Sequence, residues 1–131
     1  MTRAGSQRQI LLLHPDEDFQ RLVRNNLPAG FGCWTLADWG ALAEAARDAA
    51  PSTVAVVDPF VGSTDGSPAG ALKDFLAQYP WFPVVATLPP GAPSAHLRTL
   101  AEWEVAEVVL RGVEDTPDGL ALAVRHAQGT V

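Results

Sequence analysis

The chain of 131 residues has one cysteine, Cys33, so it cannot form an internal disulfide or a thiolate metal site. It has no cluster of lysine and arginine, and its formal net charge is -6, so direct binding to nucleic acid is not expected. No apolar run reaches membrane length, and the N-terminus has no signal-peptide pattern. These absences indicate a cytoplasmic protein without membrane contact, in which Cys33 is a small buried apolar residue.

The sequence is long enough for one domain with a substantial core, and no repeat or low-complexity segment divides it. Residues 1–8 are polar and are predicted to be a disordered or tag-like tail, with the domain over 9–131. Glycine and proline occur eleven times each, which is typical of tight loops between short elements.

Short apolar runs alternate with helical stretches about five times, which predicts repeated βαβ units and a parallel sheet. Ile10–Leu13 and Val54–Val57 are continuously apolar, as expected of strands covered on both faces. Phe31–Leu36, Val84–Thr87 and Val108–Leu110 complete the set. For this size the sequence predicts a flavodoxin-like three-layer α/β/α sandwich with five parallel strands in the order 2-1-3-4-5.

Five helices are predicted from apolar residues at helical spacing and from residues that favour helix starts. The predicted N-cap residues are Asp16, Asp38, Ser67, Ser94 and Thr116. The third helix is expected over about Pro68–Gln78, and the fourth is expected to bury Leu97, Leu100 and Ala101.

Asp58 follows the apolar run Val54–Val57 directly, and a loop containing Asp65-Gly66 comes after it. In an open α/β sheet, ligands bind at the carboxyl ends of the strands. The predicted order makes the first and third strands neighbours, so His14 and Asp16 are expected in the same crevice as Asp58. A carboxylate beside His14 would raise the pKa of its imidazole.

Over about Gln9–Gln128 the pattern resembles the receiver domains of response regulators, the CheY-like family. The resemblance is carried by the stretches Ile10–Phe19 (ILLLHPDEDF), Pro51–Gly66, Pro83–Leu88 and Ala106–Arg111 (AEVVLR). It implies a two-component signalling role, with Asp58 as phosphoacceptor and a histidine kinase or another signalling protein as partner. It also implies a possible homodimer through helix 4, strand 5 and helix 5, where an exposed Trp103 would be an anchor.

The positions that hold Mg²⁺ in receivers are altered in this chain. The family's acidic pair after the first strand falls on His14 and Pro15, whose side chains are not hard oxygen ligands. Asp16 is the next residue, and with Asp58 it is the remaining candidate metal ligand. The resemblance therefore implies no bound cofactor, or Mg²⁺ held only weakly.

Two further positions also differ from the family. The receiver family carries a Ser or Thr at the end of the fourth strand, and this position falls on Leu88, or on Thr87 with a one-residue slip. The family's Lys at the end of the fifth strand falls on Arg111, which is followed by Gly112 rather than by proline. Arg111 either supplies the counter-charge for a bound phosphate or pairs with a carboxylate at the strand end.

These departures indicate an atypical receiver-like domain with weakened or lost aspartyl phosphorylation, which acts through protein–protein interaction and is not an enzyme. The alternative is a functional phosphorelay receiver phosphorylated on Asp58 that controls an output, transcriptional domain. The simpler alternative for Asp58 is a strand-end carboxylate that only hydrogen-bonds loop amides. A dehalogenase-like phosphatase is disfavoured, because Phe60 occupies the place of its second carboxylate.

Overall fold

Five short segments form one parallel sheet: β1 (Arg8–Leu13), β2 (Phe31–Thr35), β3 (Val54–Val57), β4 (Val84–Leu88) and β5 (Glu107–Leu110). Their order is β2-β1-β3-β4-β5, and the predicted order and fold are confirmed. The computed structural model describes residues 8–25, 31–49, 53–64, 66–111 and 116–128. Most of the predicted tail, residues 1–7, lies outside the described residues.

The helices that connect the strands are α1 (Glu17–Asn25), α2 (Trp39–Arg47), α3 (Gly70–Gln78), α4 (Ser94–Glu102) and α5 (Pro117–Gln128). Alternate residues of β1 and β3 point to opposite faces of the sheet and belong to two separate core clusters. One cluster joins the sheet to α2, α3 and α4, and the other joins it to α1 and α5. Both faces of β3 and β4 are therefore buried, which explains why β3 is continuously apolar and why β4 is apolar except at Thr87.

Three predicted helix starts form the expected cap hydrogen bonds. The acceptors are the Oδ1 atoms of Asp16 and Asp38 and the Oγ1 atom of Thr116. They accept N–H groups two or three residues further along the chain, at distances of 2.9, 2.8 and 3.1 Å respectively.

The predicted caps at Ser67 and Ser94 are wrong. The chain stays extended through Ala69, whose N–H donates to the Pro59 carbonyl oxygen at 2.6 Å, and α3 begins only at Gly70. The N-cap of α4 is the residue before Ser94, and neither helix start has a side-chain cap bond. A contact with a distant loop residue thus moves the start of α3 away from the local serine-proline signal.

The buried face of α4 also differs from the prediction. Leu100 is fully buried as expected, but Leu97 is 45% exposed and Ala101 is exposed. Cys33 is half-buried rather than buried, because it lies on the edge strand β2, and burial still raises the pKa of its thiol. No helix in the described part of the chain has the length and apolarity needed to cross a membrane.

The chain leaves α4 through a Schellman turn. Glu104 takes the left-handed conformation there, with φ of 63°, and its N–H donates to the Ala101 carbonyl oxygen. The Val105 N–H donates to the Leu100 carbonyl oxygen, which completes the turn. Glycine is the usual residue at this position, because a side chain costs about 1–2 kcal/mol in the left-handed conformation.

We expect Glu104→Gly to raise the free energy of unfolding by about 1 kcal/mol, because glycine adopts this conformation without strain. Urea denaturation measures the change. The matched control is Glu102→Gly at the last residue of α4, which should lower the free energy of unfolding by about 0.5–1 kcal/mol. A Glu104→Gly protein less stable than the natural chain would contradict the strain assigned to this turn.

Candidate functional site

A cavity of about 280 Å³ opens where β1, β3, β4 and β5 end. Its lining residues are His14, Asp58, Phe60, Thr87, Pro89 and Arg111. Sheet hydrogen bonding continues one residue beyond the strands here. The Asp58 N–H donates to the Leu13 carbonyl oxygen and the Arg111 N–H to the Leu88 carbonyl oxygen, both at 2.8 Å. The sheet therefore fixes the backbone from which the site residues project.

Asp58 is partly buried and has one oxygen engaged locally. Its Oδ1 atom accepts the Phe60 N–H at 2.8 Å, which holds the start of the β3–α3 loop. Its other oxygen forms no hydrogen bond within the part of the chain that is described. Asp58 thus binds a loop amide and still presents one carboxylate oxygen to the cavity.

His14 lines the same cavity as Asp58, as predicted from the adjacency of β1 and β3. It is 5% exposed, and its Nδ1 atom accepts the Asp16 N–H at 3.2 Å. A neutral imidazole that accepts at Nδ1 carries its proton on Nε2. Protonation at Nδ1 would require this hydrogen bond to break.

The expected upward shift of the His14 pKa is wrong. Burial lowers the pKa of His14 below its ordinary value, and this effect outweighs the raising effect of the Asp58 carboxylate. The Arg111 guanidinium lowers the pKa further, whereas Asp16 raises it. His14 is therefore a neutral side chain near pH 7 and not a cationic partner for Asp58.

Asp16 does not line the cavity; its carboxylate forms an ion pair with Arg111. Arg111 Nη2 lies 3.0 Å from Asp16 Oδ2, while Asp16 Oδ1 accepts the Asp18 N–H at 2.9 Å. The hydrogen bond from Arg111 is the main reason why the pKa of Asp16 lies below its ordinary value. Asp16 is thus both the cap of α1 and the partner of the strand-end arginine.

Phe19 lies between His14 and Arg111 and contacts both side chains. Its ring centroid lies 4.3 Å from that of His14, and the Arg111 guanidinium carbon lies 4.7 Å from the same ring centroid. An arginine over an aromatic face gains a cation–π attraction. Phe19 therefore orients both polar side chains, and no spacing in the sequence indicates this role.

Thr87 rather than Leu88 lines the cavity. Thr87 is 2% exposed, and its hydroxyl lies 3.4 Å from the Val57 carbonyl oxygen. Leu88 is buried in the core cluster on the other side of the strand. Pro15 is exposed at the end of β1. Asp65 and Gly112 lie outside the described residues.

The residues at this corner do not fit Mg²⁺. Hard cations take oxygen ligands, yet His14 offers nitrogen and Pro15 offers no side-chain ligand. Both oxygens of Asp16 are engaged, and the Phe60 carbonyl oxygen accepts the Ser63 N–H at 2.9 Å. Nowhere in the described chain do three or more His, Cys, Asp or Glu side chains group in a way that could hold a metal ion. Among the residues that the structure describes, Asp58 is the one whose side-chain carboxylate lines the cavity.

The loop that follows Asp58 is anchored to α2. Trp39 Nε1 donates to the Val61 carbonyl oxygen at 2.7 Å, and the indole lies 3.8 Å from the place where a side chain would begin at Gly62. Gly62 has φ of +81°, a conformation that favours glycine. This hydrogen bond fixes the loop beside the cavity, and no sequence pattern indicates it beyond the position of Trp39 after the cap Asp38.

An NMR titration of the His14 ring should give a midpoint below that of an ordinary histidine, because burial favours its neutral form. Asp58→Asn should lower the midpoint further by removing a carboxylate that favours the charged form. In the natural chain, His14 binds a proton more readily when the chain is unfolded than when it is folded. The free energy of unfolding should therefore fall as the pH drops below about 6.5. A His14 midpoint that Asp58→Asn leaves unchanged would contradict the placement of the Asp58 carboxylate beside His14.

The chain has the fold of response-regulator receiver domains. The receiver domain of a Bacteroides fragilis response regulator is 18% identical with a TM-score of 0.75, over 94% of this chain and 98% of that one. The receiver domain of NtrX from Brucella abortus is 21% identical with a TM-score of 0.76, over 93% and 99%. The receiver domain of an HD domain-containing protein from Pseudomonas fluorescens Pf-5 is 20% identical with a TM-score of 0.72, over 98% and 92%.

Against a longer NtrX chain from Brucella abortus, the match spans 27% of that chain. No protein-family model matches the sequence, and no curated protein matches it. The similarity is therefore one of fold.

Proposed function

We propose that this chain is an atypical receiver-like signalling domain in which Mg²⁺-dependent phosphorylation of Asp58 is weak or lost. The observation that carries the proposal is the Asp16–Arg111 ion pair beside a neutral, buried His14. Phosphoryl transfer to a carboxylate needs charge neutralisation around the transferred group, which Mg²⁺ supplies in related chemistry. Here the cation ligands are replaced, and the charge of Arg111 is balanced by Asp16.

The domain then acts by binding proteins and has no catalytic activity of its own. Asp58 serves as the strand-end carboxylate that holds the Phe60 amide. Its partner is a histidine kinase or another signalling protein, and its location is the cytoplasm. This assignment is supported by the receiver fold together with the engaged site residues.

The test is intact-mass spectrometry after incubation with acetyl phosphate and Mg²⁺. We expect little or no phosphorylated protein, and no difference between the natural chain and Asp58→Asn. A CheY-type receiver with its acidic pair intact, treated in parallel, shows that the reagent is active. Near-complete phosphorylation that is abolished by Asp58→Asn and by a chelator would overturn the proposal in favour of a functional phosphorelay receiver.

A homodimer through α4, β5 and α5 is a second part of the proposed function. It is supported by three exposed leucines: Leu97 on α4, Leu110 on β5 and Leu122 on α5. A groove of about 330 Å³ runs between β5 and α5 and is lined in part by Leu122. The three side chains lie on the three elements that the receiver resemblance implies for a dimer, and an apolar surface there would suit a protein interface. Trp103 does not line this groove and lies instead beside α3.

Sedimentation measures this association directly. We expect a concentration-dependent dimer that Leu122→Glu weakens, because burying an unpaired charge in an apolar interface is costly. The matched control is Trp34→Ser, which removes an exposed aromatic at the opposite edge of the sheet. A monomer at all concentrations, or equal effects of the two substitutions, would rule out this interface.

A further inference from the structure

A second groove lies at the end of the sheet opposite Asp58, between the C-terminal ends of α3 and α4. Its volume is about 250 Å³. The α3 side contributes Leu76, Ala77 and Pro80, and the α4 side contributes Trp103. Trp103 is half-buried, packs against the core and also lines the groove.

Two carboxylates flank the indole. Glu102 and Glu104 are exposed and line the groove on either side of Trp103 in the chain. Neither forms an ion pair with any residue that the structure describes. Lys73 of α3 also lines the groove, so the charge is negative around Trp103 and includes one cation from the other helix.

Glu104 places a carboxylate at a turn position where glycine, which has no charge, is usual. Glu104 has φ of 63°, a conformation in which glycine is free of strain. The backbone turn places the residue directly after Trp103, at the point where α4 ends. The Glu104 carboxylate therefore lies at a groove whose other lining residues include Trp103 and apolar residues of α3.

We propose that this groove binds an arginine side chain carried by an exposed segment of a partner protein. A guanidinium stacks on an indole face and also forms paired hydrogen bonds with a carboxylate, so it matches Trp103 and the two glutamates together. Tryptophan and arginine are the residues that most often dominate binding energy at interfaces. The Lys73 ammonium repels additional cations, so the preferred segment has a single arginine followed by an acidic residue and is not polybasic.

This interaction is independent of the chemistry at Asp58, because the two sites lie at opposite ends of the sheet. It therefore goes beyond the receiver-like role and does not depend on whether Asp58 is phosphorylated. Asp58→Asn is the variant that separates the two, since it should leave binding at the Trp103 groove unchanged.

The test uses the peptide acetyl-Ala-Arg-Ala-Ala-Glu-amide, titrated into ¹⁵N-labelled protein at low salt. We expect a saturable shift of the Trp103 indole N–H, while the exposed indole of Trp34 serves as an internal control. Replacing the peptide arginine with citrulline, which is neutral and of similar shape, should weaken binding by at least about fivefold. Glu102→Gln combined with Glu104→Gln should have an effect of similar size without changing the circular dichroism spectrum.

Three outcomes would overturn the proposal. The first is the absence of a saturable shift at Trp103. The second is equal affinity for the citrulline peptide or for the double glutamine variant. The third is tighter binding of a triarginine peptide than of the single-arginine peptide, with shifts spread over the acidic surface, which would indicate nonspecific attraction to a chain of negative net charge.

Discussion

The double substitution His14→Asp with Pro15→Asp should strengthen Mg²⁺ binding by on the order of tenfold to a hundredfold relative to the natural chain. It places two carboxylates at the positions where receivers carry their acidic pair, next to Asp58, which already presents one oxygen to the cavity. Hard oxygen ligands are what Mg²⁺ requires and what this corner lacks. NMR titration or calorimetry measures the affinity.

The matched control is His14→Asn with Pro15→Asn, which introduces side chains of nearly the same shape without negative charge. We expect this variant to bind Mg²⁺ no better than the natural chain. If the aspartate and asparagine variants bound Mg²⁺ equally, the loss of the acidic pair would not be the feature that limits the site. A gain in the aspartate variant alone would also be expected to restore phosphorylation by acetyl phosphate.

Phe19→Ala should lower the free energy of unfolding by about 3–5 kcal/mol, because Phe19 is 1% exposed and its removal leaves a cavity in the core. The same substitution removes the ring against which His14 and Arg111 pack. Chemical denaturation measures the loss of stability, and the NMR titration of His14 reports the change at the site.

Phe19→Leu separates the two effects. It retains most of the apolar volume, so the stability loss should be below about 1.5 kcal/mol, while the aromatic contacts with His14 and Arg111 are lost. We therefore expect a shift in the His14 midpoint from Phe19→Leu in a protein that remains well folded. A Phe19→Ala protein as stable as the natural chain would show that Phe19 does not hold α1 and the site together.

The fold could be predicted from the sequence because its signals are local and repeated. The continuously apolar runs identified strands covered on both faces, and the sheet order followed from the number of βαβ units. The neighbouring positions of His14 and Asp58 followed from that order alone, since each residue directly follows one of two paired strands.

The side-chain pairing at the site could not be predicted in the same way. Arg111 and Asp16 are 95 residues apart, and their contact depends on how Phe19 supports the arginine. The sequence left two roles open for Arg111, and the structure pairs it with a carboxylate. The pKa of His14 was misjudged because the neighbouring charge was visible in the pattern and the extent of burial was not.

The errors at the helix starts have a similar cause. A serine before a proline is a good local signal for a helix start at Ser67. However, the Ala69 N–H donates to the Pro59 carbonyl oxygen, and α3 begins only at Gly70. On α4, Leu100 is buried as predicted and Trp103 is half-buried, whereas the other two predicted inward residues, Leu97 and Ala101, are exposed. Tertiary contacts decided both cases.

We propose that a neutral His14 and the Asp16–Arg111 ion pair replace the residues that hold Mg²⁺ in receivers. A Mg²⁺ titration of the natural chain, followed at the backbone amide of Asp58, tests this proposal. We expect no saturable shift at concentrations that saturate the His14→Asp/Pro15→Asp protein. Saturable binding to the natural chain with the affinity of that variant would contradict it.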